Sequence, residues 1–152
     1  MVRKRSTSSL MPSWRSISAM AAGGPSISLC NATDGRCGTW NRAGVIVFAP
    51  TQNGSLHRVS AAGGESTSLT TLDEAGQEQT HRWPFFLPDG RHFLYIARGS
   101  TTDPDEARAV YVGSLDPSEG PRLLLPGGSN AQYASGYLLF LRETTLMAQS
   151  FD

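Results

Sequence analysis

The sequence predicts an all-β protein assembled from repeated small antiparallel sheets. Residues 21–30 recur as residues 61–70, and seven of the ten aligned positions are identical. A self-match at a period of about 40 residues, rich in glycine and in alternating small and apolar residues, is typical of a repeated β unit. Neither copy has helical periodicity, so the period fits a four-stranded sheet better than a helical repeat.

A regular series of turn glycines supports the same architecture. Gly44, Gly90 and Gly136 are each 46 residues apart, and each precedes the most apolar segment of its unit. Glycine reverses the chain at such a position without a Cβ clash. Together, the repeat and the turns predict an incomplete β-propeller of about three consecutive four-stranded antiparallel blades.

The first predicted blade is preceded by the end of another one. Residues 21–37 are interpreted as that end, with residues 26–29 as its outer strand. The first blade itself is expected over residues 38–72. Its apolar run at residues 45–49 has the length and composition of a central strand that is buried on both faces.

The remaining strands of the first blade follow from its turn residues. Asn53 and Gly54 predict a tight hairpin turn, because glycine readily adopts the positive φ that such a turn requires. Leu56 and Val59 are assigned to the next strand. Residues 66–71 are assigned to the outer strand.

Two further blades are predicted along the rest of the chain, at residues 81–126 and 130–152. Their expected strands are residues 83–87, 92–97, 109–112, 122–125, 131–134, 137–141 and 145–151. No stretch has the spacing of an amphipathic helix.

The N-terminal segment differs from the rest of the chain. Residues 1–20 have neither alternation nor helical spacing and are predicted to form a disordered or atypical tail. The basic residues Arg3 to Arg5 are similar to the start of a secretory signal, but residues 6–15 are too polar for its apolar region. No window approaches the roughly 18 apolar residues of a membrane span. We therefore expect neither an export signal nor a membrane segment in this chain.

The charge of the chain argues against one class of partner. The 13 basic and 13 acidic side chains among its 152 residues give a formal net charge of zero. A neutral chain produces no overall field that would attract nucleic acid or anionic membranes. No nucleic-acid partner is therefore expected.

Two cysteines, Cys30 and Cys37, flank the loop at residues 31–36. Because they lie near two predicted strand ends, a disulfide between them is sterically compatible with an oxidising compartment. The alternative is a buried thiol at a strand end and an unused thiol in the loop.

No metal or cofactor site is expected from the remaining polar clusters. Asp103, Asp105 and Glu106 lack the glycine and the ligand spacing of a calcium loop, so an ordinary solvated loop is favoured. The three histidines do not pair with the cysteines at a zinc-ligand spacing.

The segment His81-Arg82-Trp83 combines residue types that recur in recognition surfaces. We favour a structural role instead. In that interpretation Trp83 packs between blades, and His81 and Arg82 bond neighbouring turns.

The repeated motifs resemble a known family. Residues 81–95, which have the turn Pro-Asp-Gly near their centre, look like the repeat of WD40-like, TolB-type β-propellers. Residues 110–116 and 133–142 are most similar to the propeller region that follows the kinase domain and membrane helix in acidobacterial eukaryotic-like serine/threonine protein kinases. The resemblance covers residues 21–152 and is specific over residues 38–152.

The resemblance implies a fragment of a six-bladed bacterial propeller that serves as a sensor or a protein-interaction platform. In the full-length protein this region would be periplasmic or extracytoplasmic, and it would contain no catalytic residue. Some turns depart from the family pattern: residues 41–44 replace the Pro-Asp-Gly turn in the first blade, and residues 135–136 shorten it in the third. Residues 1–20 match nothing in the family.

The sequence lacks the motifs of two enzyme classes associated with such propellers. A kinase needs a Gly-rich phosphate loop, an ATP-contacting lysine and two aspartates, whereas the single lysine here is Lys4 in the tail. A prolyl oligopeptidase-like hydrolase needs a Gly-x-Ser-x-Gly elbow, and the nearest string, residues 127–131, lacks the final glycine. The chain is therefore expected to be non-enzymatic and to use no cofactor.

These observations favour a non-catalytic propeller module for protein interaction or ligand sensing, within a larger receptor-like, kinase-associated protein. One alternative is a truncated gene product with no independent function, because three blades cannot close a ring of four to eight. The other is the propeller part of a prolyl oligopeptidase-like hydrolase. An open arc also allows self-association through its uncovered blade faces, with residues 26–29 as a candidate outer strand for the last blade.

Overall fold

A computed structural model describes residues 16–19, 26–100 and 107–151. These residues form thirteen strands in four sheets, of two, four, four and three strands. All pairings between these strands are antiparallel. Within these ranges there is no helix long and apolar enough to cross a membrane. The prediction of an all-β, incomplete β-propeller with consecutive antiparallel sheets is confirmed.

The first sheet has two strands, β1 (Ser16–Ala19) and β2 (Ile27–Asn31). β1 lies within residues 1–20, the segment for which the sequence predicts a disordered or atypical tail, and its four residues form a strand. Four residues are too few for a periodicity signal, and it is the pairing with β2 that defines the strand. Residues 1–15 and 20 of the predicted tail lie outside the described residues.

The other three sheets are consecutive blades, in which strands that follow one another in the chain are also neighbours in the sheet. The first blade contains β3 (Gly38–Trp40), β4 (Val45–Phe48), β5 (His57–Ser60) and β6 (Thr67–Ser68). The second contains β7 (Glu78–Phe86), β8 (His92–Gly99), β9 (Arg108–Ser114) and β10 (Arg122–Pro126). The third has β11 (Gln132–Ala134), β12 (Tyr137–Arg142) and β13 (Thr145–Ser150).

The strand β4 is apolar on both of its faces. Ile46 and Phe48 pack with Leu29 of β2, whereas Val47 packs with Phe93 of the second blade. Successive side chains of a strand point to opposite faces, so one unbroken apolar run serves two interfaces. The prediction of a doubly buried strand at this position is confirmed.

The strand β8 repeats this arrangement in the second blade. Phe93 and Tyr95 belong to the apolar layer shared with the first blade, and Leu94 and Ile96 pack with Phe140 of the third blade. One apolar layer therefore lies between each pair of consecutive sheets. Burial of such layers is the main stabilising term, at about 1.5–3 kcal/mol for each fully buried large side chain.

The described residues cover only one of the two faces of the third blade. Leu138 and Phe140 are buried against the second blade. On the other face, the side chains of Tyr137, Leu141 and Leu146 are 52%, 48% and 67% exposed. The outer edge of β13 pairs with no other strand in the described part of the chain. An uncovered apolar face and an open strand edge therefore lie side by side.

The turn glycines have the backbone conformation that their spacing predicted. Gly44, Gly90 and Gly136 have φ values of 79°, 68° and 85°. This left-handed region is accessible to glycine without a Cβ penalty. Ser135 also has a positive φ, of 50°, and with Gly136 it forms a two-residue hairpin between β11 and β12.

The prediction of a tight hairpin at Asn53 and Gly54 was wrong. Gly54 does have a positive φ, of 119°. However, β4 and β5 are joined by residues 49–56, which is too long for a two-residue turn. The Gly54 N–H donates to the Gln79 carbonyl at 2.9 Å, and the Gly54 carbonyl accepts from the His81 N–H at 2.9 Å. The loop reaches the next blade instead of turning locally.

Gly113 of β9 leaves no room for a side chain. A Cβ atom there would lie 2.7 Å from Cζ of Phe93, whose ring is fully buried. We predict that Gly113→Ala lowers the free energy of unfolding by about 1–3 kcal/mol, because the ring must shift within a packed layer. Urea denaturation measures this change.

Gly120→Ala is the matched control, since a Cβ at that position meets no atom within 4 Å. Its free energy of unfolding should stay within about 0.5 kcal/mol of the wild-type value. Equal effects of the two substitutions would contradict the packing argument for Gly113.

Candidate functional site

A cleft of about 630 Å³ opens between the second and third blades. It lies where the β7–β8 turn, the β9–β10 loop and the β11–β12 turn approach one another. Its walls combine charged and aromatic side chains, among them Asp89, His92, Glu119, Arg122, Tyr133 and Phe151.

Strand register explains why one end of this cleft is apolar and the other polar. Leu94 of β8 is opposite Val112 of β9, which is opposite Arg122 of β10. Directly opposed residues of antiparallel strands share a face, so this row faces the third blade. The next row on the same face brings His92 opposite Ser114. The face therefore changes from apolar to polar within two rows.

The β7–β8 turn is held in place by the first blade. Asn41, which is 8% exposed, donates from Nδ2 to the Gly90 carbonyl at 2.6 Å. Within the turn, Oδ1 of Asp89 accepts from the backbone N–H groups of Arg91 and His92, each at 3.0 Å. These bonds fix the Asp89 carboxylate at the edge of the cleft.

His92 joins two carboxylates across the cleft wall. Its Nδ1 bonds Asp89, and its Nε2 lies 3.0 Å from Oε2 of Glu119. Both ring nitrogens can donate only in the imidazolium form. The hydrogen bond with Asp89 raises the pKa of His92 above its ordinary value, and the bond with Glu119 adds to this although partial burial opposes it. His92 therefore offsets part of the negative charge of the cleft.

Arg91 occupies the remaining carboxylate oxygens of this corner. It pairs with Glu119 and, at 3.2 Å, with Asp116. Asp116 also accepts from the Ser118 hydroxyl at 2.6 Å, and the hydrogen bonds from Ser118 lower the pKa of Asp116. The acidic groups on this side of the cleft are thus already bonded to partners within the chain.

The other side of the cleft presents aromatic rings and an arginine. The rings of Tyr133 and Phe151 lie edge to face with centroids 6.2 Å apart, and both pack partly against the apolar core beside Leu87. Arg122 lines the cleft from β10 with an exposed side chain. It forms no ion pair with any of the described residues.

A second polar cluster is buried between the first and second blades. His81 is 1% exposed, with Nδ1 at 2.8 Å from the Thr70 hydroxyl and Nε2 at 3.1 Å from Glu78. The Glu78 carboxylate can only accept, so Nε2 donates to it and Nδ1 of a neutral ring accepts the Thr70 proton. The Thr70 oxygen also accepts from the Leu56 N–H at 2.9 Å. Burial lowers the pKa of His81, and the hydrogen bond with Glu78 only partly opposes this. His81 is therefore a neutral ring that links two blades.

The structural role expected for His81, Arg82 and Trp83 is confirmed. Nη2 of Arg82 donates to the carbonyl of Gln52, in the β4–β5 loop of the first blade, at 2.7 Å. Trp83 packs against the apolar core between the second and third blades. These side chains hold adjacent blades together.

Cys30 and Cys37 are free thiols in the structure. Cys30 is half-buried on β2, and Cys37 is exposed just before β3. Burial raises the pKa of the Cys30 thiol, which keeps it protonated and poorly nucleophilic. A disulfide between the two stays a prediction for an oxidising compartment.

The hydrolase-like string and the acidic loop, which the sequence analysis weighed as candidate sites, do not form a site among the described residues. The Ser129 hydroxyl, within the hydrolase-like string, accepts from the Leu141 N–H at 2.8 Å. Asp103, Asp105 and Glu106 lie outside the described residues. Residues 16–19, 26–100 and 107–151 contain no group of three or more His, Cys, Asp or Glu side chains placed to hold a metal ion.

The sequence did not single out the cleft. The Pro-Asp-Gly motif at residues 88–90 predicts a turn, and the sequence indicates no role for His92, Glu119 or Arg122. One signal was present: the alternation along β8 places His92 on the face of Leu94, which predicts a polar end to that apolar face. The approach of the β9–β10 loop, which brings Glu119 to His92, has no such signal.

The fold is all-β, with consecutive antiparallel sheets as in an incomplete propeller, and the cleft lies between two of these sheets. No protein-family model matches the chain, and no curated protein matches its sequence.

The buried His81 predicts a pH dependence of stability. Its pKa is lowered in the folded state, so the unfolded chain binds its proton more readily, and stability falls as the pH drops below the ordinary pKa of about 6.5. His92 has a raised pKa and contributes in the opposite direction. The test therefore uses the His92→Gln variant. We expect its free energy of unfolding to fall by about 1 kcal/mol between pH 7.5 and 5.5.

The double variant His92→Gln/His81→Gln is the control for this measurement. It should be less stable at both pH values, but urea denaturation should give nearly the same free energy at pH 7.5 and 5.5. A fall with pH as large as that of the single variant would show that a group other than His81 is responsible.

Proposed function

We propose that the chain is a non-catalytic binding module of the WD40-like, TolB-type propeller class, and that its cleft between the second and third blades holds the ligand. The observation that carries this proposal is the cleft itself. Its volume of about 630 Å³ is within the range of small-molecule sites, which combine apolar walls with a few convergent polar groups. A side chain of a partner protein could enter the same space.

The hydrogen bonds around the cleft support a binding role over catalysis. Ser114 lies opposite His92, as a nucleophile beside a base would. However, the Ser114 hydroxyl oxygen accepts from the Asp116 N–H at 3.1 Å, and Nε2 of His92 bonds Glu119 instead. A doubly bonded imidazolium has no lone pair with which to accept a proton from a serine.

The buried His81 cluster supports the same conclusion. Thr70, His81 and Glu78 are connected like a nucleophile, a base and an orienting carboxylate. His81 is 1% exposed, and the Thr70 oxygen is occupied by a backbone N–H group. A substrate would have no access to this cluster, so we assign it to the joining of blades. The sensor or receptor-like role implied by the family resemblance is compatible with such a module.

A fragment screen followed by two-dimensional ¹H–¹⁵N NMR tests this proposal. We expect the amides of Gly113, Ser114 and Gly120, which line the cleft, to shift with the hits. Gly120→Trp should abolish these shifts, because the position is open to a side chain that would fill the cleft. Ala62→Trp, which adds the same ring at an exposed position of the first blade, should leave them unchanged. Hits that shift other regions alone, or no hits at all, would refute the proposal.

We further infer that the uncovered face of the third blade associates with a second copy of the chain. Tyr137, Leu141 and Leu146 expose apolar surface beside the open edge of β13. The strand at Thr145–Ser150 has no charged side chain and no proline, which are the usual protections of an edge strand. Two such edges would therefore meet without charge repulsion.

Sedimentation velocity over a range of protein concentrations tests this association. The average sedimentation coefficient of the wild type should rise with concentration, and Leu146→Lys should suppress the rise by placing a charge beside the edge. Leu123→Lys is the control, since Leu123 is 52% exposed on the second blade. A wild-type chain that stays monomeric at all concentrations would exclude this mode of association.

A further inference from the structure

Some charged side chains of the cleft have oppositely charged partners within the described part of the chain, and one does not. Asp89 and Glu119 share His92, and Glu119 also pairs with Arg91. The carboxylates therefore have cationic partners within the chain. Arg122 has no carboxylate partner among the described residues. The one unpaired charge on the described cleft wall is thus positive.

Arg122 also has a defined position relative to the apolar wall. It is opposite Val112, which is opposite Leu94, so its guanidinium extends from the end of an apolar row. Tyr133 and Phe151 of the third blade lie across the cleft from this row. A ligand in the cleft would meet apolar side chains along its body and a guanidinium at one end.

We propose that the cleft binds an organic carboxylate with an apolar or aromatic body, whose carboxylate pairs with Arg122. This inference rests on the proposed function, because it assigns a ligand class to the same cleft. The planar guanidinium presents its N–H donors in a fork that matches the two oxygens of a carboxylate. The aromatic edges of Tyr133 and Phe151 suit a flat or branched apolar group.

The same charges argue against other ligand classes. A cationic ligand would need a free carboxylate, but Asp89 and Glu119 are bonded to His92 and Arg91. A neutral ligand of the same shape would cover Arg122 without giving it an acceptor, and a charge shielded from water without a partner is destabilising. A carboxylate supplies both the apolar contact and the missing anion.

This ligand chemistry has two sources: a free aromatic acid, or the C-terminal residue of a peptide. Both present a carboxylate close to an apolar group. The two are distinguished with two probes, 3-phenylpropionate and an N-acetylated tripeptide that ends in phenylalanine with a free carboxylate. The matched control for each probe is its primary amide, which keeps the shape and removes the negative charge.

Isothermal titration calorimetry with the full chain compares each acid with its amide. We expect at least one acid to bind at least tenfold more tightly than its amide. Arg122→Gln should remove this difference, whereas Arg142→Gln should retain it, because Arg142 is an exposed arginine at the end of β12 that does not line the cleft. Preference for the tripeptide would assign the cleft to a peptide terminus, and preference for 3-phenylpropionate to a free acid.

Failure of the carboxylate inference can be distinguished from failure of the proposed binding function. Acid and amide binding equally in the cleft, or an acid preference that survives Arg122→Gln, would overturn the carboxylate inference and leave the cleft as a binding site. Absence of binding by all four probes, while neutral or cationic fragments shift the amides of Gly113 and Ser114, would overturn it in the same way. If no compound of any charge shifts these amides, the proposed function fails as well.

Discussion

The stacking of sheets through both faces of their central strands is the constraint on which the rest of this fold depends. β4 and β8 have apolar side chains at successive positions because each strand serves two neighbouring sheets. A sheet with one polar face could occupy only the end of such a stack. The cleft follows from the same constraint, since it opens where the apolar face of the second blade changes to the polar row of His92 and Ser114.

The repeated β plan could be predicted from the sequence, but the face that each residue occupies could not. The glycine spacing placed the three chain reversals correctly, because a positive φ has a clear compositional signal. Val47 and Phe93 each lie three residues after a turn glycine, yet Val47 faces the following blade and Phe93 the preceding one. The β7–β8 connection is one residue longer than the β3–β4 connection, and a shift of one residue exchanges the two faces of a strand. Equal spacing of glycines does not reveal this shift.

The candidate site was less predictable because its parts come from separate turns. Asp89 and His92 are close in the chain, and their proximity could have been inferred from the turn. Glu119 and Arg122 reach the same cleft through the length of β9 and the path of its following loop. The bonding of the carboxylates to His92 and Arg91, which leaves Arg122 without an ion pair among the described residues, is a property of side-chain geometry. It has no counterpart in residue spacing.

The interface between the first and second blades and the interface between the second and third blades are held by different interactions. This difference has a consequence for local opening. Polar bonds from Asn41 to Gly90, from Thr70 to His81 and from Gly54 to Gln79 connect the first and second blades. Between the described residues 78–126 and 132–151 no hydrogen bond crosses, and the contact is the apolar layer alone. In a linear array of modules, the weaker junction governs which module detaches first. The third blade should therefore separate from the second as a unit while the first two blades stay packed. A ligand bound in the cleft would contact both the second and the third blade and so slow this local opening.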